Sequence, residues 1–157
     1  MTPKLKPVSI VTGARIIFFS SSLTKASVVL PNALVYVATK GAIEQFSRVL
    51  AKDLGAKGIT VNTVTPGPTD TELFRKGKSE SEIESIANAA PLKRLGQPDE
   101  IAPVVSFLAS PAAAWVNGQN ILVNGASVFV LASHDIELIT LALGFCCVIG
   151  VFFKFRH

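Results

Sequence analysis

The sequence predicts an α/β fold, and three stretches carry that expectation. From Asn32 to Leu54 the apolar residues Leu34, Val37, Ala38, Ile43, Phe46, Val49, Leu50 and Leu54 recur at a helical period. Ile59-Thr60-Val61-Asn62-Thr63-Val64 then alternates and is rich in β-branched residues, the mark of a strand. A second helical stretch, from about Pro98 to Leu108, places Ile101, Val104, Val105 and Leu108 at core spacing. With 157 residues, 49% hydrophobic and 17% charged, the chain is long and apolar enough to bury a core and is most simply one domain.

Taken in order, Asn32 is placed to cap the first helix and Gly55 to stop it. That helix carries Tyr36 and Lys40 at i and i+4, so a phenol and an ammonium share one face, one turn apart. A neighbouring cation favours the ionised form of an acid, which suits proton exchange with a substrate oxygen near neutral pH. Thr65-Pro66-Gly67-Pro68 ends the strand abruptly, and Ser79 to Ala90 reads as a polar helix.

Composition excludes several classes. The net charge of +4 is mild and the lysines and arginines are scattered, which argues against a nucleic-acid groove. Cys146 and Cys147, the two cysteines, are adjacent and cannot staple distant segments, so neither a disulfide framework nor a metal site is expected. Met1-Thr2-Pro3-Lys4-Leu5-Lys6-Pro7 has no apolar core of signal-peptide length, which points to the cytoplasm. Leu138 to Phe153 is uncharged and is followed by Lys154-Phe155-Arg156-His157. As a helix it spans about 24 Å, short of a ~30 Å hydrocarbon core, and its basic end sits against the positive-inside tendency. Three roles stay open for it: a membrane helix over residues 138–153, which would make the protein membrane-associated; a helix packed on the domain; or an extension with no selected role.

A Tyr-x-x-x-Lys pair alone is common on helices, but further blocks surround this one. Ser20-Ser21-Ser22 ends an apolar run, Tyr36 to Glu44 reads YVATKGAIE, Ile59 to Gly67 reads ITVNTVTPG, Pro91 to Glu100 reads PLKRLGQPDE, and Gly118 to Gly125 reads GQNILVNG. Together, over roughly residues 15–125, they resemble the second half of a short-chain dehydrogenase/reductase, closest in texture to fungal carbonyl and ketoacyl reductases.

The resemblance implies an oxidoreductase that uses NAD or NADP and interconverts a small carbonyl and a secondary alcohol. Tyr36 would be the general acid/base. Lys40 would ease loss of its proton and, with Tyr36, hold the cofactor ribose; Ser22 would hydrogen-bond the substrate oxygen. Pro66, Gly67, Pro68, Thr69 and Thr71 would receive the nicotinamide carboxamide. Asn62 is given only hydrogen bonding at a strand edge. The 79–90 helix would be a lid over the substrate, and Gln119 to Val123 the last strand, which Ala126 to Val130 could extend.

The same resemblance implies a truncated Rossmann-like sheet with helices on both faces over residues 1–130, followed by a hydrophobic C-terminal tail over 131–157. Val8 to Val11 and Thr12-Gly13-Ala14 resemble the first strand and the opening of the glycine-rich cofactor turn. Arg15 to Phe19 follows at once and resembles the strand that carries the serine. The intervening family segments, on the order of 100 residues at 30 or more per βαβ unit, have no match, nor has the family's catalytic asparagine. Parallel strands need a crossover of a dozen or more residues. Val8–Val11 is therefore expected to fold back antiparallel. An alternative reading is a catalytically silent member of the family, acting through association with a membrane, with itself or with relatives by way of the long helix and the last strand.

Overall fold

The structure, a computed structural model, describes residues 13–26 and 31–128. Strand β1 (Arg15–Phe19) leads through a 3-10 turn (Ser22–Lys25) and a second one (Pro31–Ala33) into helix α1 (Leu34–Gly55). Strand β2 (Thr60–Pro66) is followed by the short helix α2 (Glu72–Arg75), then α3 (Glu80–Ala89), α4 (Pro98–Ala109) and strand β3 (Asn120–Val123). The strands form one parallel sheet in the order β1-β2-β3. The register pairs Ile17 with Asn62 and Val64 with Ile121. Both connections are long enough for the parallel geometry because each contains helix.

Alternation along the strands sends side chains to two layers. On one face Ile59, just before β2, and Val61 within it pack with Ala51 of α1, joined by Ile16, Phe18, Leu50 and Leu54. On the other, Val64 packs with Leu108 of α4 and Ala113, with Ile17, Ile101, Val104 and Ile121 around them. The expected helices on both faces of a sheet are present. The expected Val8–Val11 hairpin and the 131–157 tail lie outside the described residues.

Several local expectations are corrected. Asn32 does not cap α1: Pro31 opens a 3-10 turn that takes in Asn32, and the residue before the helix is Ala33, which makes no side-chain cap bond. Gly55 is the last helical residue and not the stop. The chain tightens through the Lys57 N–H to Leu54 and Gly58 N–H to Gly55 carbonyl bonds, and reverses at Gly58, whose φ of +71° glycine alone adopts without strain. The apolar spacing also overstated the buried face of α1. Leu34, Phe46 and Val49 are exposed, while Glu44, Ser47 and Ala51 are buried. Residues 126–128 do not extend β3, because Gly125 and Ala126 both take positive φ and turn the chain away.

By contrast, α3 begins as its sequence suggests. Ser79 accepts the Glu82 N–H and Glu82 accepts the Ser79 N–H, a reciprocal capping box. At α4 the Glu100 carboxylate likewise accepts the Gln97 N–H at 2.8 Å, while the Glu100 N–H donates to the Gln97 carbonyl, with Pro98 at the first helical position. Asn62 sits on the central strand and not at an edge. Its amide donates to the Val116 carbonyl (2.8 Å) and accepts from the Gln119 N–H (3.0 Å), fastening β2 to the loop before β3. Asn117 returns the link, accepting from Val61 N–H at 2.8 Å and donating to the Ala51 carbonyl at 3.2 Å.

Candidate active site

Because β1 and β2 are parallel, the segments leaving their carboxyl ends emerge on the same side of the sheet, where ligands of open α/β sheets bind. Ser20 continues the ladder from β1 through its N–H to the Val64 carbonyl (2.9 Å), and the 3-10 turn that begins at Ser22 follows at once. Pro66 through Thr71 leaves β2 at the same end. The first half of α1 lies here too, since the Lys40 ammonium donates to the Phe19 carbonyl at 3.0 Å.

Tyr36 and Lys40 are together as the i, i+4 spacing requires, with Lys40 Nζ 5.7 Å from the centre of the Tyr36 ring. Tyr36 is 48% exposed, open to an incoming molecule, whereas Ser22 is only 3% exposed. The contacts recorded for the Ser22 turn run to the helix one turn beyond Lys40. Ser20 Oγ donates to Glu44 Oε1 at 2.7 Å, with the Lys40 carbonyl next nearest at 3.2 Å. Thr24 Oγ1 lies 2.5 Å from the same Glu44 oxygen, and Lys25 Nζ is 2.6 Å from Glu44 Oε2. Burial acts to raise the pKa of Glu44. The bonds from Lys25, Thr24 and Ser20, with the Lys25 charge, outweigh it and hold the carboxyl below the usual 4.5. Sequence reasoning missed Glu44. The signal was its spacing, since residues 36, 40 and 44 follow one another along a single helix face.

The Pro66–Thr71 loop is held from two sides. Gly67 N–H donates to the Val123 carbonyl at 3.0 Å, so the loop begins against the end of β3. A one-residue parallel bridge joins Thr69 to Gly96, flanked by Gly96 N–H to the Pro68 carbonyl (2.9 Å) and Asp70 N–H to the Gly96 carbonyl (2.8 Å). Thr69 Oγ1 folds back on the Gly67 carbonyl at 2.9 Å. Thr71 caps α2, accepting the Phe74 N–H at 3.1 Å, which fixes its rotamer and leaves its hydroxyl proton free to donate elsewhere. Gly67, Pro68 and Thr69 line a cavity of about 150 Å³ with Arg94, Glu100 and Asn124. Arg94 grips Glu100 with two 2.7 Å bonds, and this, with the Gln97 N–H, draws the Glu100 pKa down to about 2.

A family model described as enoyl-(acyl carrier protein) reductase matches residues 1–126. A chloroplastic NADPH-dependent aldehyde reductase-like protein of Arabidopsis thaliana is 44% identical over 116 residues, covering 74% of this chain and 42% of the relative. The short chain dehydrogenase mdpC of Emericella nidulans is 46% identical over 127 residues, covering 74% and 48%. Among solved structures, an angucycline C-6 ketoreductase, LanV, with bound NADP superposes with a TM-score of 0.67 at 36% identity, covering 74% of this chain and 44% of that one. The chain thus spans less than half the length of the curated relatives it matches.

Proposed function

The chain belongs to the short-chain dehydrogenase/reductase family, and from that premise we propose that it is an NAD(P)-dependent oxidoreductase that interconverts a small carbonyl and a secondary alcohol. One observation carries the proposal: the Tyr36 phenol, open to solvent, stands with the Lys40 ammonium at the carboxyl end of β1, from which the serine turn departs. The names of relatives that use NADPH or hold NADP support the cofactor class.

The residues present fit the nicotinamide-ribose half of such a cofactor. Lys40 offers an ammonium, Tyr36 an exposed phenol, and Thr71 a hydroxyl whose proton is uncommitted as the oxygen accepts Phe74 N–H. Lys40 and Tyr36 would hold the ribose; Pro66, Gly67, Pro68, Thr69 and Thr71 would hold the carboxamide. When bound, the reduced nicotinamide supplies a hydride for the carbonyl carbon. Tyr36 Oη gives its proton to the substrate oxygen as that oxygen gains charge, which is general acid catalysis. Ser22 Oγ donates a hydrogen bond to the same oxygen and orients the carbonyl.

Titration of the full chain with NADPH and NADH, followed by nicotinamide fluorescence, tests this reading. The expected result is micromolar binding weakened at least tenfold by Lys40→Ala. Absence of binding up to millimolar cofactor would refute it in favour of a catalytically silent member of the family acting through association.

A further inference from the structure

Glu44 is a buried carboxylate to which the redox reading gives no task, and its surroundings are unusual in one respect. Three donors from outside α1 reach it, Ser20 Oγ (2.7 Å), Thr24 Oγ1 (2.5 Å) and Lys25 Nζ (2.6 Å), and all belong to the six residues Ser20–Lys25. They bracket Ser22 in sequence, two residues before it, two after and three after. The Glu44 side chain is 5% exposed and that of Lys25 is 30% exposed, so the pair is largely removed from water. A buried ion pair is weak evidence for stability, since apolar residues of similar volume often serve as well. Its value lies in geometry: three bonds of fixed direction define where a short turn sits, which apolar contact alone does not.

Resting on the oxidoreductase reading above, we propose that Glu44 is a positioning residue that locks the Ser22 turn in register with the Tyr36–Lys40 face of α1. Lys40 and Glu44 are one helical turn apart, so the carboxylate transmits the position of the catalytic helix to the serine through a single rigid element. The Lys40 ammonium is itself bound to the Phe19 carbonyl, at the end of the strand from which the serine turn continues. Helix and turn are thereby tied at two points, one on each side of the Ser20 backbone. A serine misplaced by about 1 Å would still leave the cofactor subsite intact, yet cost on the order of 100-fold in turnover.

The test uses the full chain with Glu44→Ala, Glu44→Gln and Lys25→Met. Amide hydrogen exchange over residues 20–26 is read against residues 45–55 of α1 as internal control. Turnover of 4-nitrobenzaldehyde with NADPH is measured alongside. Glu44→Ala should speed exchange over 20–26 about tenfold or more while 45–55 is unchanged. It should lower kcat about 30-fold and leave the KM for NADPH within twofold. Glu44→Gln keeps an oxygen for Ser20 and Thr24 and should recover most of kcat. If Glu44→Ala does not fold, Lys25→Met removes one donor of the three and should speed exchange about threefold. Unchanged exchange in 20–26, or a cofactor KM that moves in step with kcat, or faster exchange at undiminished kcat, each overturns the proposal. A parent chain with no turnover and no NADPH binding refutes the oxidoreductase reading instead, and the exchange arm then decides on its own whether Glu44 holds the turn.

Discussion

Replacing Gly67 by alanine asks whether the loop after β2 is as tightly seated as its geometry states. A Cβ added at Gly67 would stand 2.8 Å from both Asn124 Cα and Cβ and 3.1 Å from the Asn124 carbonyl oxygen. Carbon atoms in contact sit about 3.5–4.0 Å apart, so the two segments must separate by roughly 0.7 Å or more. The obstacle is largely backbone and cannot swing aside. Separation also stretches the 3.0 Å bond from Gly67 N–H to the Val123 carbonyl. Overpacking of this kind costs about 1–3 kcal/mol, and a weakened hydrogen bond up to about 1 more. We expect a loss near 2 kcal/mol, which at a urea slope of about 1–3 kcal/mol/M lowers the unfolding midpoint by roughly 1 M. The matched control is Gly41→Ala in α1, where nothing lies within 4 Å of the new Cβ. There the lower chain entropy of alanine should raise stability by about 0.5–1 kcal/mol. Urea unfolding of both variants against the parent is the assay. Equal signs for the two substitutions, or a Gly67→Ala midpoint at or above the parent, would refute the reasoning.

Other outcomes follow from the same contacts. Asn62→Ala removes two part-buried hydrogen bonds, to the Val116 carbonyl and from the Gln119 N–H, and should lower the unfolding free energy by about 1–3 kcal/mol in denaturant titration. Acid sensitivity should arise at four carboxylates whose folded pKa values are depressed, Glu44, Asp70, Glu82 and Glu100, so their stabilisation is present above the unfolded values of 4.5 for glutamate and 3.8 for aspartate and is lost as pH falls. For Glu100 that loss runs from 4.5 to about 2, and the stability curve of Glu100→Gln should lie below the parent above that window and converge with it at its acid end. Trp115, the single tryptophan, is 99% exposed. Its fluorescence should peak where free indole in water does, and Trp115→Ser should change stability by less than about 0.5 kcal/mol; a markedly blue-shifted peak would contradict the exposure.

Much of this architecture could be read from residue order alone, because the signals were local. Ser79 with Glu82 and Gln97-Pro98 with Glu100 announce helix starts by bonds that span three residues, and both helices begin there. The alternation of Ile59 to Val64 placed β2 within two residues of its observed ends. Tyr36 and Lys40 were legible for the same reason, since helix spacing dictates their proximity. What escaped was set by distant partners. Periodicity marked Leu34, Phe46 and Val49 as a core face, but Ser20, Thr24 and Lys25 satisfy a carboxylate on the neighbouring face, and Glu44 is buried in their place. Asn62 looked like a strand-edge polar residue until the loop at Val116–Gln119 supplied its two partners. The short helix α2 went unread, since its four residues depend on one capping threonine.

The position of β2 between β1 and β3 has a kinetic consequence. Neither outer strand pairs with the other, and each meets β2 only after closing a loop of roughly 45 or 57 residues, a high contact order that slows folding. Until Thr60–Pro66 has been synthesised, β1 has no strand to join among the described residues, and α1 lacks its contacts with Ile59 and Val61. On a ribosome adding about 5–20 residues each second, β1 therefore waits roughly 2–9 s for the end of β2 and α1 roughly 0.5–2 s. Substitutions in β2, on which both outer strands pair, should consequently slow refolding more than those in β3, which pairs with β2 alone.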